Sequence, residues 1–171
     1  MPITERSRSA SVGIDIGVTM EFLREMLVNK ALVSALLGWT VAQISKTIVY
    51  FIVNKEFRWE RIFGGGGMPS SHSATVCGLA TATGMLYGGA SIEFAVSFIL
   101  AVVVMYDAMN VRMETGRQGK VLNDMLEIFQ KMGKNISPEE RLKELVGHTP
   151  LQVLVGAITG VVVAVLVVLY I

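Results

Sequence analysis

The chain has 171 residues, which sets the scale at one domain or a small bundle with an N-terminal extension. Apolar residues make up 52% of it and the mean hydropathy is +0.55, too high for an ordinary soluble domain of this size. A net charge of +1 argues against a nucleic-acid-binding surface or an acidic tail, and the single cysteine, Cys77, rules out an internal disulfide.

Residues 1–16 are Ser-rich and weakly patterned. Arg6 and Arg8 are not followed by an apolar core of about 7–15 residues and a small-residue cleavage site, so no signal peptide is expected. A short helix is predicted over 19–29, with Phe22, Leu23, Met26 and Leu27 on one face. Residues 1–29 therefore form an extension, and 30–171 a membrane-embedded bundle.

The first membrane segment spans 31–53, enough to cross a hydrocarbon core of roughly 30 Å. It carries Gln43, Lys46, Thr47 and Tyr50 at helical spacing on one face. A lysine in a membrane helix costs at least ~2.5–3.5 kcal/mol and usually faces the bundle interior or a wet cavity. Snorkelling to the interface is the other reading. A polar loop and Gly64–Gly67 follow, then a second helix is predicted over 71–87, rich in Ala, Thr, Gly and Ser. Small residues of this kind let neighbouring helices approach closely. A third segment, 93–111, is apolar until it meets Asp107 and Asn110 on one face, with Arg112 next.

Between 120 and 132, apolar residues recur at 121, 122, 125, 126, 128, 129 and 132, the pattern of an amphipathic helix on the membrane or over the bundle mouth. Ser137-Pro138-Glu139-Glu140 has capping-box form and predicts a short helix ending at Gly147. The last helix, 150–171, carries Gly156 and Gly160 as a packing face. The expected fold is all-α: an integral membrane bundle of about four transmembrane helices plus an amphipathic surface helix, with 112–147 as an inserted polar segment. Its glycine-rich faces also offer a route to homo-oligomers.

Four spans put the 54–70 and 112–147 loops on one side. Together they hold ten of the fifteen Lys and Arg residues, which points to the cytoplasmic face of a prokaryotic plasma membrane or an organelle membrane.

Both histidines sit at predicted helix starts: His72 in PSSHS and His148 in GHTP, where Thr149 is a cap and Pro150 a first-turn residue. Helix N-termini offer unpaired N–H groups and a positive dipole end, which favour bound phosphate. Gly67 and its neighbours let the backbone approach a ligand. The same dipole disfavours an imidazolium, so a neutral histidine can act as nucleophile or base. Lys46 and Arg112 are cations able to neutralise phosphoryl oxygens, with Arg117 a further cation whose setting better fits a solvated or headgroup-facing surface. Two histidines with buried cations suit phosphoryl transfer through a phosphohistidine. No carboxylate cluster for magnesium or calcium is present, zinc lacks a partner set, and no Walker loop follows the glycines, so no metal and no cofactor are expected.

The blocks GGMPSSHSATV, YDAMNVR and GHTPLQVLVGAITG resemble the divergent branch of the type 2 phosphatidic acid phosphatase superfamily, related to acid phosphatases and vanadium-dependent haloperoxidases. The resemblance covers about 31–160. It implies that Pro69, Ser70, Ser71 and His72 form the second motif, with His72 the general acid and Ser71 where glycine is usual. It makes His148 the nucleophile, Arg112 the third-motif arginine displaced by an insertion, and Lys46 the first-motif lysine, although no Arg-Pro follows. Four residues after His148, the superfamily's orienting aspartate is replaced by Gln152, and Asp107 is a candidate substitute. The implied activity is a metal-independent phosphatase acting on a membrane lipid phosphate or pyrophosphate. A lipid-phosphate transferase and a non-catalytic phospholipid-binding or transport protein remain alternatives.

Overall fold

The computed structural model describes residues 16–56, 67–132, 142 and 147–171, without the side chains of 16 and 18. Among these residues there is no strand, and six helices follow in chain order: α1 (Ile16–Val28), α2 (Lys30–Asn54), α3 (Ser71–Tyr87), α4 (Ile92–Met109), α5 (Val111–Lys131) and α6 (Pro150–Tyr170). The short helix expected before Gly147, the serine-rich N-terminus and Gly64–Gly66 lie outside the described residues.

Local chemistry starts each helix. The Asn29 side chain accepts from the N–H groups of Ala31 and Leu32 at 3.1 Å each, capping α2. Ser70 caps α3, Ser91 caps α4, and Thr149 with Gln152 forms a reciprocal capping box on α6, where Pro150 fills the first turn. Gly88, at φ 86°, ends α3 in a conformation that glycine adopts without strain.

The α5 helix begins at Val111, nine residues ahead of the expected start at 120. Asn110 between α4 and α5 keeps right-handed helical angles, and no proline interrupts the segment. Gly116 and Gly119, which lower helix propensity, are buried there.

Among the described residues, three helical stretches, α2, α4 continued by α5, and α6, are long and apolar enough to cross a membrane. Their outward faces carry exposed Leu36, Ile44 and Phe51 on α2, Ile99 and Val103 on α4, and Leu154 on α6. Such continuous apolar exposure fits lipid as solvent. The fourth helix, α3, has 17 residues and sits among α2, α4 and α6, making its most extensive contact with α6.

Backbone proximity explains that central place. A methyl group at Gly160 would collide with the Ala74 carbonyl oxygen, and one at Gly156 with that of Ser70. On the α2 side, a methyl at Gly38 would stand 2.9 Å from the Ala74 oxygen, and one at Gly78 would stand 3.0 Å from that of Ser34. The three helices α2, α3 and α6 thus meet through Gly, Ala and Ser. The Gly156–Gly160 face is occupied within the chain and is not free to pair with a second copy. Toward α4, buried Thr83 and Ser97 share a hydrogen bond of 2.7 Å between hydroxyls.

Substituting leucine at Gly160 forces backbone apart and is expected to cost more than the ~1–3 kcal/mol of ordinary overpacking. The thermal unfolding midpoint of the detergent-solubilised variant should fall by several degrees or more, whereas Ile158→Leu on the exposed face should leave it unchanged.

Candidate phosphate site

One end of the bundle gathers the C-terminal parts of α2 and α4 with the N-termini of α3 and α6. The Ser70 N–H donates to the Gln152 carbonyl at 3.0 Å, tying the start of α3 to the first turn of α6. The His148 N–H donates to the Ala108 carbonyl at 3.0 Å, tying the same point to the end of α4. Sequence reading missed Ala108, because its contribution is a backbone carbonyl that any residue would supply. Gly147, at φ 99°, passes so close to the Arg112–Met113 backbone that a methyl there would stand 2.6 Å from the Met113 nitrogen. Glycine is needed at 147 on both grounds.

The two histidines meet at this junction, with ring centroids 6.0 Å apart and planes at 64°. His148 is 3% exposed. Its Nδ1 lies 3.1 Å from Gln152 Oε1, which also accepts from the Thr149 N–H at 3.2 Å. An oxygen that accepts from a backbone N–H is fixed as the acceptor end of the amide, so the His148 contact is Nδ1–H donating and Nε2 carries the lone pair. Burial pushes the His148 pKa below the ordinary 6.5; the Gln152 bond opposes this, and the charges of Lys46 and Arg112 add to the lowering. The His72 ring is half-buried and its Nδ1 has no hydrogen-bond partner among the described residues. A buried polar atom left in that state costs about 1–3 kcal/mol, so a ligand that bonded it would gain by doing so.

Lys46 is 4% exposed, and its ammonium donates to Gln43 Oε1 at 2.6 Å. It therefore turns inward rather than toward a lipid interface. Gly67, at φ 85°, lies over the lysine stem, where an added methyl would stand 3.2 Å from Cγ.

Other expected site residues are placed differently from one another. Ser70 is fully buried, and its hydroxyl oxygen serves the α3 cap, accepting from the N–H of Ser73 at 3.4 Å and from its hydroxyl at 3.0 Å. Ser71 is buried in the first turn. What this turn offers an anion is the N–H groups of Ser71 and His72, which have no acceptor inside the helix. Asp107 pairs with Arg112 at 3.3 Å, both side chains about half exposed, so Gln152 and not Asp107 is the side chain that holds the His148 ring. Arg117 faces outward and pairs with Glu114 at 3.5 Å. Among the described residues, no three of His, Cys, Asp and Glu stand close enough together to hold a metal ion.

Comparison with known proteins gives the chain its relatives. Residues 27–163 match the family described as "Divergent PAP2 family". The chain is 38% identical over 146 residues to "Uncharacterized membrane protein YuiD" of Bacillus subtilis (strain 168), across 80% of this chain and 92% of that one. No solved structure matches it significantly. Its membrane-length helices and these two matches together make the chain an integral membrane protein that belongs to the Divergent PAP2 family.

Proposed function

We propose that the protein is a phosphatase that hydrolyses a lipid phosphate or pyrophosphate through a phosphohistidine on His148. The observation that carries this reading is the convergence of two histidines, 6.0 Å apart, at two helix N-termini beside a buried lysine. Nε2 of His148 attacks phosphorus, and the bond to the leaving oxygen, that of an alkoxide or, in a pyrophosphate, of the lipid monophosphate, breaks as protonated His72 gives that oxygen its proton. Water then attacks the phosphohistidine, with His72 taking its proton, which releases phosphate and restores both rings. Lys46, Arg112 and the N–H groups of Ser71 and His72 stabilise the phosphoryl oxygens, with Gly67 closing over Lys46. Ser70 supports the same turn as its cap, and Asp107 positions Arg112. This route draws its positive charge from side chains and helix ends, without a metal or cofactor.

Gln152 also supports a second reading, a protein that binds or moves phospholipid without turnover. Its amide orients the ring, but a neutral oxygen stabilises the developing imidazolium less than a carboxylate does. A transferase would share the first step and pass the phosphoryl group to an alcohol.

Purified protein in detergent should release phosphate from lipid phosphates with EDTA present and lose that activity to vanadate. His148→Ala should abolish release, and His72→Ala should lower it ~10²–10⁴-fold, the usual weight of a general acid. Release that persists in folded His148→Ala contradicts the mechanism, and no release from any lipid by the wild type favours the binder. Added alcohol that diverts product to a new ester marks the transferase.

The capping box accepts glutamate as readily as glutamine at position 152. Gln152→Glu should therefore keep the fold and speed phosphate release about tenfold, the effect of exchanging a neutral for a charge-assisted hydrogen bond. Because the nucleophile must be neutral, the acid limb of kcat/KM in the wild type should fall below 6.5, following the lowered pKa of His148. A carboxylate at 152 favours the protonated ring, so in Gln152→Glu that limb should move to higher pH.

A further inference from the structure

At the end of the bundle away from the phosphate site, α1 carries an apolar face that none of the described residues covers. Among the described helices α1 touches α2 alone, the helix that follows it. Met20, Leu23 and Leu27 recur at helical spacing with Phe22 and Met26 beside them, and all five are exposed, Leu27 by 77% and Met20 by 62%. Glu21, Arg24 and Glu25 take the opposite arc of the helix, where Val28 joins them.

The depth of α1 follows from its neighbours. Asn29 is the single residue between α1 and α2, with extended backbone angles of φ −72° and ψ 98°. The two helices therefore do not form one straight rod, and α1 departs from the point where α2 enters the membrane. Lys30, the first residue of α2, donates from its ammonium to the Val168 carbonyl at 3.3 Å, which holds the start of α2 level with the end of α6. Tyr170 is 81% exposed at the same level. Lysine and tyrosine are the residue types that gather at the boundary between headgroups and hydrocarbon. Within two turns past that boundary, Leu36 and Leu37 already face outward on α2.

We infer that α1 lies in the interface of the leaflet opposite the phosphate site, with Met20, Leu23 and Leu27 against the acyl chains and Glu21, Arg24 and Glu25 in water. Its 13 residues reach about 20 Å at about 1.5 Å per residue, too short to cross a hydrocarbon core of roughly 30 Å. Three observations select lipid as the occupant of its apolar face. That face runs into the lipid-facing surface of α2 with one residue between them. The charged arc holds two acids and one base, so it offers no attraction to anionic headgroups; none is needed, because α2 already tethers the helix at the surface. The family match begins at residue 27, which leaves all but the last two residues of α1 outside the bundle that the family shares. This placement does not depend on the phosphate chemistry at the other end.

The full chain in lipid nanodiscs, with Cys77→Ala, allows a direct test. Nitroxide labels are attached one at a time at Glu21→Cys, Leu23→Cys, Glu25→Cys and Leu27→Cys, all exposed positions whose change leaves the bundle packing intact. Collision rates are measured with oxygen, which concentrates in lipid, and with a water-soluble nickel chelate. The ratio of oxygen to nickel collisions should be several-fold higher at 23 and 27 than at 21 and 25. Nickel-rich collisions at all four positions would put α1 in water and overturn the inference. Low rates with both reagents at 23 and 27 would mean that protein, a second copy or residues 1–15, covers the face, and would overturn it equally. In intact cells a membrane-impermeant maleimide should reach one of Glu25→Cys and Lys55→Cys and the other only after permeabilisation. Equal labelling of the two before permeabilisation would contradict the assignment to opposite leaflets.

Discussion

The site depends on how closely the backbones of α3 and α6 approach. Gly156 and Gly160 bring α6 against the carbonyls of Ser70 and Ala74, leaving no room for a side chain between them. In lipid, apolar burial supplies little drive for helix association, so packing and hydrogen bonding between close backbones must supply it. The same contact aligns the two helix starts, and the bond from Ser70 to the Gln152 carbonyl fixes their register. His72 and His148 each belong to one of those starts, so their separation follows from the packing and not from a contact of their own. Gly38 and Gly78 add α2 to the assembly, and α2 carries Lys46 to the same end.

Charge in this region is arranged by dielectric and geometry together. A buried ammonium is costly unless polar groups attend it, and Gln43 does so at 2.6 Å. Arg112 is half exposed and paired with Asp107, which holds a second cation close without burying it. The N-terminal ends of α3 and α6 add positive potential that needs no counterion. Gln152 has two roles in one side chain, since its oxygen completes the α6 cap and also orients His148. That shared duty gives a structural reason for a side-chain oxygen here, which glutamine and glutamate supply alike, whether or not the histidine is a nucleophile.

Much of the architecture was legible because lipid imposes simple rules. Runs of apolar residues marked α2, α4 and α6 to within two residues, and capping chemistry placed the starts of α3 and α6 at Ser71 and Pro150. The start of α5 was misplaced because its first nine residues lack an apolar stripe, yet the helix of α4 continues almost unbroken through Asn110. At the site, the meeting of His72 and His148 was readable from their matched positions at helix starts. Arg117 was readable as part of a solvated face, and it does point outward, paired with Glu114 one helical turn away. Ser70 was read from sequence as part of the second motif, whereas its hydroxyl serves the α3 cap. Of the pocket along α2, Lys46 and Tyr50 were marked by sequence as polar residues on one face, whereas Val49 and Val53 are ordinary membrane residues until Gly67 and Met68 face them.

The central claim is a covalent phosphoryl group on His148. The measurement that tests it most directly is rapid quenching of the protein during reaction with a lipid phosphate, followed by mass spectrometry of the peptide that contains His148 under conditions that preserve phosphohistidine. The expected result is an acid-labile, base-stable phosphoryl group on His148, absent from His148→Ala and from samples without substrate. Phosphate released at a measurable rate with no phosphoryl group on His148, or with one on another residue, would contradict it.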